Sequence, residues 1–377
     1  MANIILRNVK TRGIKTIIPE KYIDIDDELE FFENNPKKIA RAKKMVGYGR
    51  RYIANENTTV VDLAVYAAEE LFSEMNYNRQ DIDLLIFVNQ KPDYPEPCDA
   101  CVAHGRLNLN KICTSIDINL GCSGYIHALM TAHTYLSTGM YKKCLILAGD
   151  LCGRSCTQSD RKSAPVFGDA ASATILEYVE NGNVAYFVTG TDGKGWNKII
   201  RPFGGMRIPI DEKILTTKTQ NSIGNEVPLI EPIIKGEDVF NFTMDIVPKL
   251  IDDIIEFAGL TSGDIDLFAI HQANKQIVEN IVDKAQIPKD KAPTETFFKY
   301  ANNSTNSVVT VLCDSLKDNN IKKVLLCAFG VGLSWGAAII DIDGIYNGGI
   351  SSYIEPKDKS SVKEQIDFWI KYIKGEE

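Results

Sequence analysis

Asp81-Ile-Asp-Leu-Leu-Ile86 and Asp264-Ile-Asp-Leu-Phe-Ala269 are near copies of one another, 183 residues apart. A second pair follows in the same order, Lys142-Lys-Cys-Leu-Ile-Leu-Ala-Gly149 and Lys322-Lys-Val-Leu-Leu-Cys-Ala-Phe329, offset by 180. Each block runs from charged residues into a short apolar stretch, the pattern of a strand buried on both faces. Such entries into buried strands are common taken singly. Two in the same order at nearly one offset point to a duplicated α/β unit.

Around these blocks, apolar runs alternate with longer helical patterns, which reads as an α/β fold. Residues 59–74, 122–136 and 245–258 have helical spacing, the last despite Pro248 near its start. Leu84–Val88, Ser115–Ile118, Lys143–Ala148, Phe268–Ile270 and Val324–Phe329 read as strands. The expected division is an N-terminal half over 1–180, a C-terminal half over 181–345 and an extension over 346–377. Residues 201–228 are polar and rich in turn formers, an excursion between the halves. In the extension, Val362, Ile366, Trp369 and Ile373 fall on one helical stripe, suited to docking on the body or on a partner subunit.

The repeat offset places Cys122 opposite position 303, so the turn Gly121-Cys-Ser-Gly124 corresponds to Asn302-Asn-Ser-Thr305. Cys122 follows a strand and opens a helix, where the first amide groups favour a thiolate and can bind a developing oxyanion. The competing reading is one packed thiol among nine. His271 closes a buried strand, where open α/β sheets present their ligands. Taken alone it reads better as a core histidine, and Asn302 reads better as a helix cap. The repeat is what sets that turn against Cys122.

The remaining composition excludes more than it selects. The chain has 377 residues, 44% hydrophobic and 24% charged, with a mean hydropathy of −0.13, ordinary globular material for a large core. A net charge of −8 argues against a general nucleic-acid partner. No apolar run reaches membrane-spanning length and the N-terminus lacks a secretory pattern, so no membrane partner and a cytoplasmic location are expected. Cys98 and Cys101, and Cys152 and Cys156, invite a zinc reading. Their flanks lack the turn residues of a structural zinc site, so no metal and no cofactor are expected.

Five blocks in register resemble the β-ketoacyl-acyl-carrier-protein synthase III family over roughly residues 5–343. They are the Cys122 turn, Val166-Phe-Gly-Asp-Ala-Ala-Ser-Ala173, His271-Gln-Ala-Asn274, Tyr300-Ala-Asn-Asn-Ser304 and Ala328-Phe-Gly-Val-Gly-Leu-Ser-Trp-Gly336. The resemblance implies a thiolase-like five-layered αβαβα fold, usually a homodimer, with Cys122, His271 and Asn302 as catalytic residues. Cys122 would take an acyl group from a thioester, of coenzyme A or of acyl carrier protein. His271 and Asn302 would bind the carbonyl of malonyl-acyl carrier protein and stabilise the enolate left by decarboxylation. The backbone N–H groups of Cys122 and Val331 would form the oxyanion hole, and Phe329 a hydrophobic wall beside the sulfur.

In substrate binding, Arg161 matches a family arginine beside the nucleotide. Arg41 and Met45 replace the family's aromatic residue and arginine there, and Glu96 replaces a phenylalanine that a partner lends to the acyl pocket. Lys275 and Lys284, with Lys289 and Lys291 nearby, are the expected docking residues for an acidic carrier protein. Alternatives within the fold are an acyltransferase that does not decarboxylate and a hydroxymethylglutaryl-coenzyme A synthase, for whose glutamate there is no match. A non-catalytic partner subunit is the alternative of a different class, and the intact triad speaks against it.

Overall fold

A computed structural model of the chain describes residues 1–156, 160, 163–220, 224, 226–316 and 320–376. Two mixed sheets are built from β1 (Ala2–Arg7), β2 (Val9–Pro19), β3 (Leu84–Val88), β4 (Thr114–Ile118), β5 (Lys143–Leu151), β6 (Asp169–Tyr178), β7 (Val184–Thr191), β8 (Leu267–Ile270), β9 (Lys323–Gly330), β10 (Ser334–Asp341) and β11 (Tyr346–Tyr353). The first sheet runs β11-β2-β6-β5-β3-β4 and the second β1-β7-β10-β9-β8. The strands β2-β6-β5-β3 and β7-β10-β9-β8 thus repeat one order. The repeat extends to register: Leu84 pairs with Cys144 in parallel, and Leu267 with Val324. Those four residues are the ones the two sequence offsets equate.

Alternation along the central strands explains the layering. Leu84, Ile86 and Val88 face one core while Leu85 and Phe87 face another. In the second sheet Val324, Leu326 and Ala328 face that same inner core, and Leu325, Cys327 and Phe329 an outer one. The inner core also holds the helices Gly124–Ser137 and Ser307–Ser315 between the sheets. Val60–Glu74 covers the outer face of the first sheet, and Gly236–Ala258 with Lys275–Lys284 that of the second. The result is the five-layered αβαβα arrangement, with the repeated loops brought together where the central helices begin.

Two features depart from the sequence reading, and a third, the expected tail helix, adds to it. First, β1 joins the second sheet by pairing with β7, whereas β11 from the extension joins the first by pairing with β2. The extension therefore supplies a strand that its Asn347-Gly-Gly349 opening does not suggest. Second, the helix read over 245–258 begins at Gly236 and passes through Pro248. Proline cannot donate to the carbonyl four residues earlier. That carbonyl, Met244 O, instead accepts a 2.8 Å hydrogen bond from Lys284 Nζ. Third, the tail helix Val362–Lys374 has a capping box at Ser361 and Glu364 but buries none of its residues in the chain.

Candidate active site

Cys122 lies between the end of β4 and the first turn of Gly124–Ser137. Its sulfur accepts from the Val331 backbone N–H and stands 4.0 Å from the Ser304 hydroxyl. Gly330 passes so close that an added Cβ would sit 2.9 Å from both Cys122 Cβ and Sγ, so this position has no room for a side chain. The expected thiolate is not the resting state. Burial, reinforced by Cys152 and the carboxylate of Asp150, pushes the thiol up to about 12. Val331 N–H and Ser304 pull the other way without reversing it. At neutral pH the sulfur keeps its proton because desolvation outweighs these two donors.

His271 caps β8, its N–H donating to Cys327 O at 2.8 Å. The ring meets Phe329 edge-on, with centroids 5.4 Å apart. Burial lowers its pKa to about 3, so the imidazole is uncharged at neutral pH. Nδ1 is buried without a partner among the described residues, which leaves Nε2 as the nitrogen available to a substrate. A neutral ring with its proton on Nε2 can donate a hydrogen bond to a carbonyl oxygen.

Asn302 is clamped by the second recognised block. Its N–H donates to Val166 O at 2.9 Å, and Gly168 N–H donates to its carbonyl at 3.1 Å. The side-chain Oδ1 accepts from Ser304 N–H at 2.8 Å. That bond sets the amide orientation: Oδ1 is committed to the backbone, and Nδ2 is the donor left for a ligand. The same bond holds Ser304 in the left-handed region, at φ +50°. Neighbours of His271 and Asn302 stand at the sulfur. Phe329 adjoins Gly330, which touches Cys122, and Ser304 is bonded to Asn302 while facing the sulfur.

Sequence reading missed the residues that hold these loops together. The Thr305 hydroxyl donates to Asp150 Oδ2 at 2.9 Å, and Gln90 N–H donates to Asp150 Oδ1 at 3.1 Å. Behind the nucleophile, the Ser123 and Ser334 hydroxyls lie 2.5 Å apart, and Ser334 donates to Val331 O at 2.8 Å. All but the half-buried Gln90 are nearly or wholly buried. The one signal in the sequence was a polar residue at the apolar end of a strand, as Asp150 is.

The other expected residues divide. Phe329 is buried against His271. Arg41 lies on the exposed helix Pro36–Met45 with its Nε 3.5 Å from Met45 Sδ. Lys275 N–H donates to Val46 O, so Arg41 and Lys275 belong to one neighbourhood. Glu96 is exposed in the loop before Cys98, and Arg161 lies outside the described residues. The four lysines do not make one free basic patch. Lys275 and Lys289 pair with Glu279 and Asp283, and Lys291, like Lys284, donates to backbone carbonyls. Cys98 and Cys101 bring their sulfurs to 3.4 Å, and no metal-binding group of acids, cysteines and histidines occurs among the described residues. No described helix is long and apolar enough to cross a membrane.

Comparison with known proteins bears on this arrangement. Residues 116–193 match the family model for 3-oxoacyl-[acyl-carrier-protein (ACP)] synthase III, and residues 255–342 match the model for its C-terminal part. A Campylobacter jejuni protein provisionally named 3-oxoacyl-[acyl-carrier-protein] synthase 3 is 36% identical over 354 residues, covering 92% of this chain and 98% of that one. The β-ketoacyl-[acyl-carrier-protein] synthase III of Acholeplasma laidlawii is 32% identical, covering 89% and 100%. The crystal structure of a 3-oxoacyl-(acyl-carrier protein) synthase from Burkholderia xenovorans superimposes with a TM-score of 0.85 at 30% identity, covering 93% and 99%. With its two sheets, repeated register and convergent loops, the chain belongs to the 3-oxoacyl-[acyl-carrier-protein] synthase III family of acyltransferases.

Proposed function

We propose that Cys122, His271 and Asn302 carry out the family's condensation as a divided pair of half-reactions. In the first, the Cys122 thiol attacks an acyl thioester. The acyl group passes to sulfur, the carrier thiol leaves, and the thiol proton goes to that leaving sulfur or to solvent. In the second, a malonyl thioester loses carbon dioxide, and its electron pair moves onto the thioester carbonyl as an enolate. His271 Nε2–H and Asn302 Nδ2–H hold that oxygen. The enolate carbon attacks the Cys122 thioester and the N–H groups of Cys122 and Val331 hold the tetrahedral oxyanion; its collapse breaks the C–S bond to Cys122, whose sulfur takes a proton from solvent, and the product leaves as a 3-oxoacyl thioester.

The observation that carries this reading is the commitment of Asn302 Oδ1 to Ser304 N–H, together with an uncharged His271. Two neutral donors suit an enolate, and neither carries a charge that must be desolvated first. Phe329 is the wall that keeps water from the acyl-enzyme. The malonyl unit comes on acyl carrier protein, delivered past Lys275 and Lys284; Arg41 and Arg161 are substrate-binding residues by the family resemblance. The primer arrives as a thioester of coenzyme A or of acyl carrier protein, and Glu96 tilts its choice away from short straight-chain acyl groups. The working form is a cytoplasmic homodimer of chains divided at about 180 and 345. Intact-mass measurement with a panel of acyl thioesters tests the proposal: a single acyl adduct is expected, absent in Cys122→Ala. An adduct that survives this substitution would refute it.

A further inference from the structure

The tail helix Val362–Lys374 leaves more apolar surface uncovered than a single chain normally tolerates. Val362, Ile366, Trp369 and Ile373 form its stripe, flanked by Phe368 and Tyr372, and each is between 43% and 83% exposed. At typical side-chain areas they present about 700 Å², above the largest apolar patch of most monomers and close to the ~800 Å² per partner of a specific interface. Yet the helix is carefully specified. Ser361 and Glu364 form a reciprocal capping box, and Gly375 closes it in the left-handed conformation. An isolated helix of this length is marginal in water, so the caps make sense if a partner covers the apolar face.

We propose that this face docks on a second copy of the chain, as an arm exchanged between the subunits of the homodimer proposed above. Three observations select that occupant. Trp369 meets the body edge-on at Tyr94, 6.2 Å between centroids, in the loop leading to the helix Asp99–Arg106. The first amides of that helix, Asp99 and Ala100 N–H, donate to the carboxylate of Asp117 on β4, the open edge strand of the first sheet. The arm therefore rests against a loop that leads to the helix tied to this open sheet edge, on which another copy can pair. The excursion between the halves also leaves the apolar side chains of Met206, Ile210 and Leu215 exposed. A two-fold axis would let each arm cover its partner's excursion, giving two equivalent contacts. The polar side of the helix mixes Lys363, Lys371 and Lys374 with Glu364 and Asp367. That mixture suits neither an anionic membrane, which favours a uniformly basic face, nor an acidic carrier protein.

The test places a photocrosslinking benzoylphenylalanine at position 368 of the full chain, in dimers mixed from isotopically light and heavy protein. Light-to-heavy crosslinks mapping to residues 201–216 are expected, together with at least a tenfold weaker dimer for Trp369→Asp by sedimentation. A dimer whose crosslinks are all within one chain would overturn the arm while leaving the homodimer standing. A monomer at all concentrations would overturn both. Crosslinking only to added lipid vesicles or to carrier protein would also overturn the arm.

Discussion

Replacing Asn302 by aspartate separates the two jobs of its side chain. The carboxylate keeps an oxygen where Oδ1 accepts from Ser304 N–H, 2.8 Å away, so the left-handed turn beside the sulfur retains its support. It removes the Nδ2 donor and puts a negative charge where an enolate must form. A lost oxyanion-type donor costs about 3 kcal/mol of transition-state stabilisation, roughly 150-fold in rate, and the added charge deepens the loss. Asn302→Ala removes the acceptor as well, leaving Ser304 N–H unsatisfied at a further cost of about 1–3 kcal/mol in stability. The backbone clamps to Val166 and Gly168 survive in both variants. Carbon dioxide release from a malonyl thioester measures the half-reaction that should fail, and intact-mass acylation of Cys122 the one that should not. Asn302→Asp is expected to keep acylation within a few-fold while decarboxylation falls at least 100-fold. Equal loss of both activities, or decarboxylation within fivefold of the starting chain, would refute the assignment of Nδ2 as the enolate donor.

Other perturbations follow from the same geometry. Because burial lifts the Cys122 thiol to about 12, its iodoacetamide alkylation rate should still be climbing at pH 9; a plateau below pH 8 would mean the helix amides and the two donors outweigh desolvation. His271 and His133 both have folded pKa values near 3 against an ordinary 6.5. The unfolded chain therefore binds more protons between those values, and denaturant midpoints should drop as pH falls from 6.5 towards 3. The slope from each ring is about 1.4 kcal/mol per pH unit, and stability flat across that window would contradict the burial. Gly330→Ala should push the sulfur off Val331 N–H, at about 1–3 kcal/mol of packing strain, and slow acylation rather than malonyl binding; acylation kinetics with competing malonyl thioester distinguish these. The buried Arg51–Glu28 pair, bonded at 2.6 and 2.5 Å, should make Glu28→Ala about 3–5 kcal/mol less stable in urea melts.

Much of the architecture was legible because it is written locally. A strand buried on both faces is apolar through its centre, so the apolar runs inside Leu84–Val88, Lys143–Leu151 and Lys323–Gly330 announce themselves, and duplication makes the announcement twice. The opposition of the two turns was legible for the same reason: nearly equal offsets set the Cys122 turn against the Asn302 turn, and Ser304 does face the sulfur. The strand β11 was hidden because Gly348 and Gly349 carry no β signal; its pairing with β2 comes from a sheet edge laid down more than 300 residues earlier.

What the residues alone determined, then, is a doubled α/β unit with the thiol turn set opposite the Asn302 turn; the αβαβα layering, and His271 and Asn302 as the expected partners of that thiol, followed from the family resemblance. Periodicity and repeat spacing are properties of neighbouring positions, and they survive without a structure. The charge state of Cys122, the direction in which Asn302 points, and the service of Lys284 to a carbonyl orphaned by Pro248 were decided only by the fold. Each depends on desolvation or on a hydrogen-bond partner supplied by a distant segment, and only the tertiary structure brings those groups within reach.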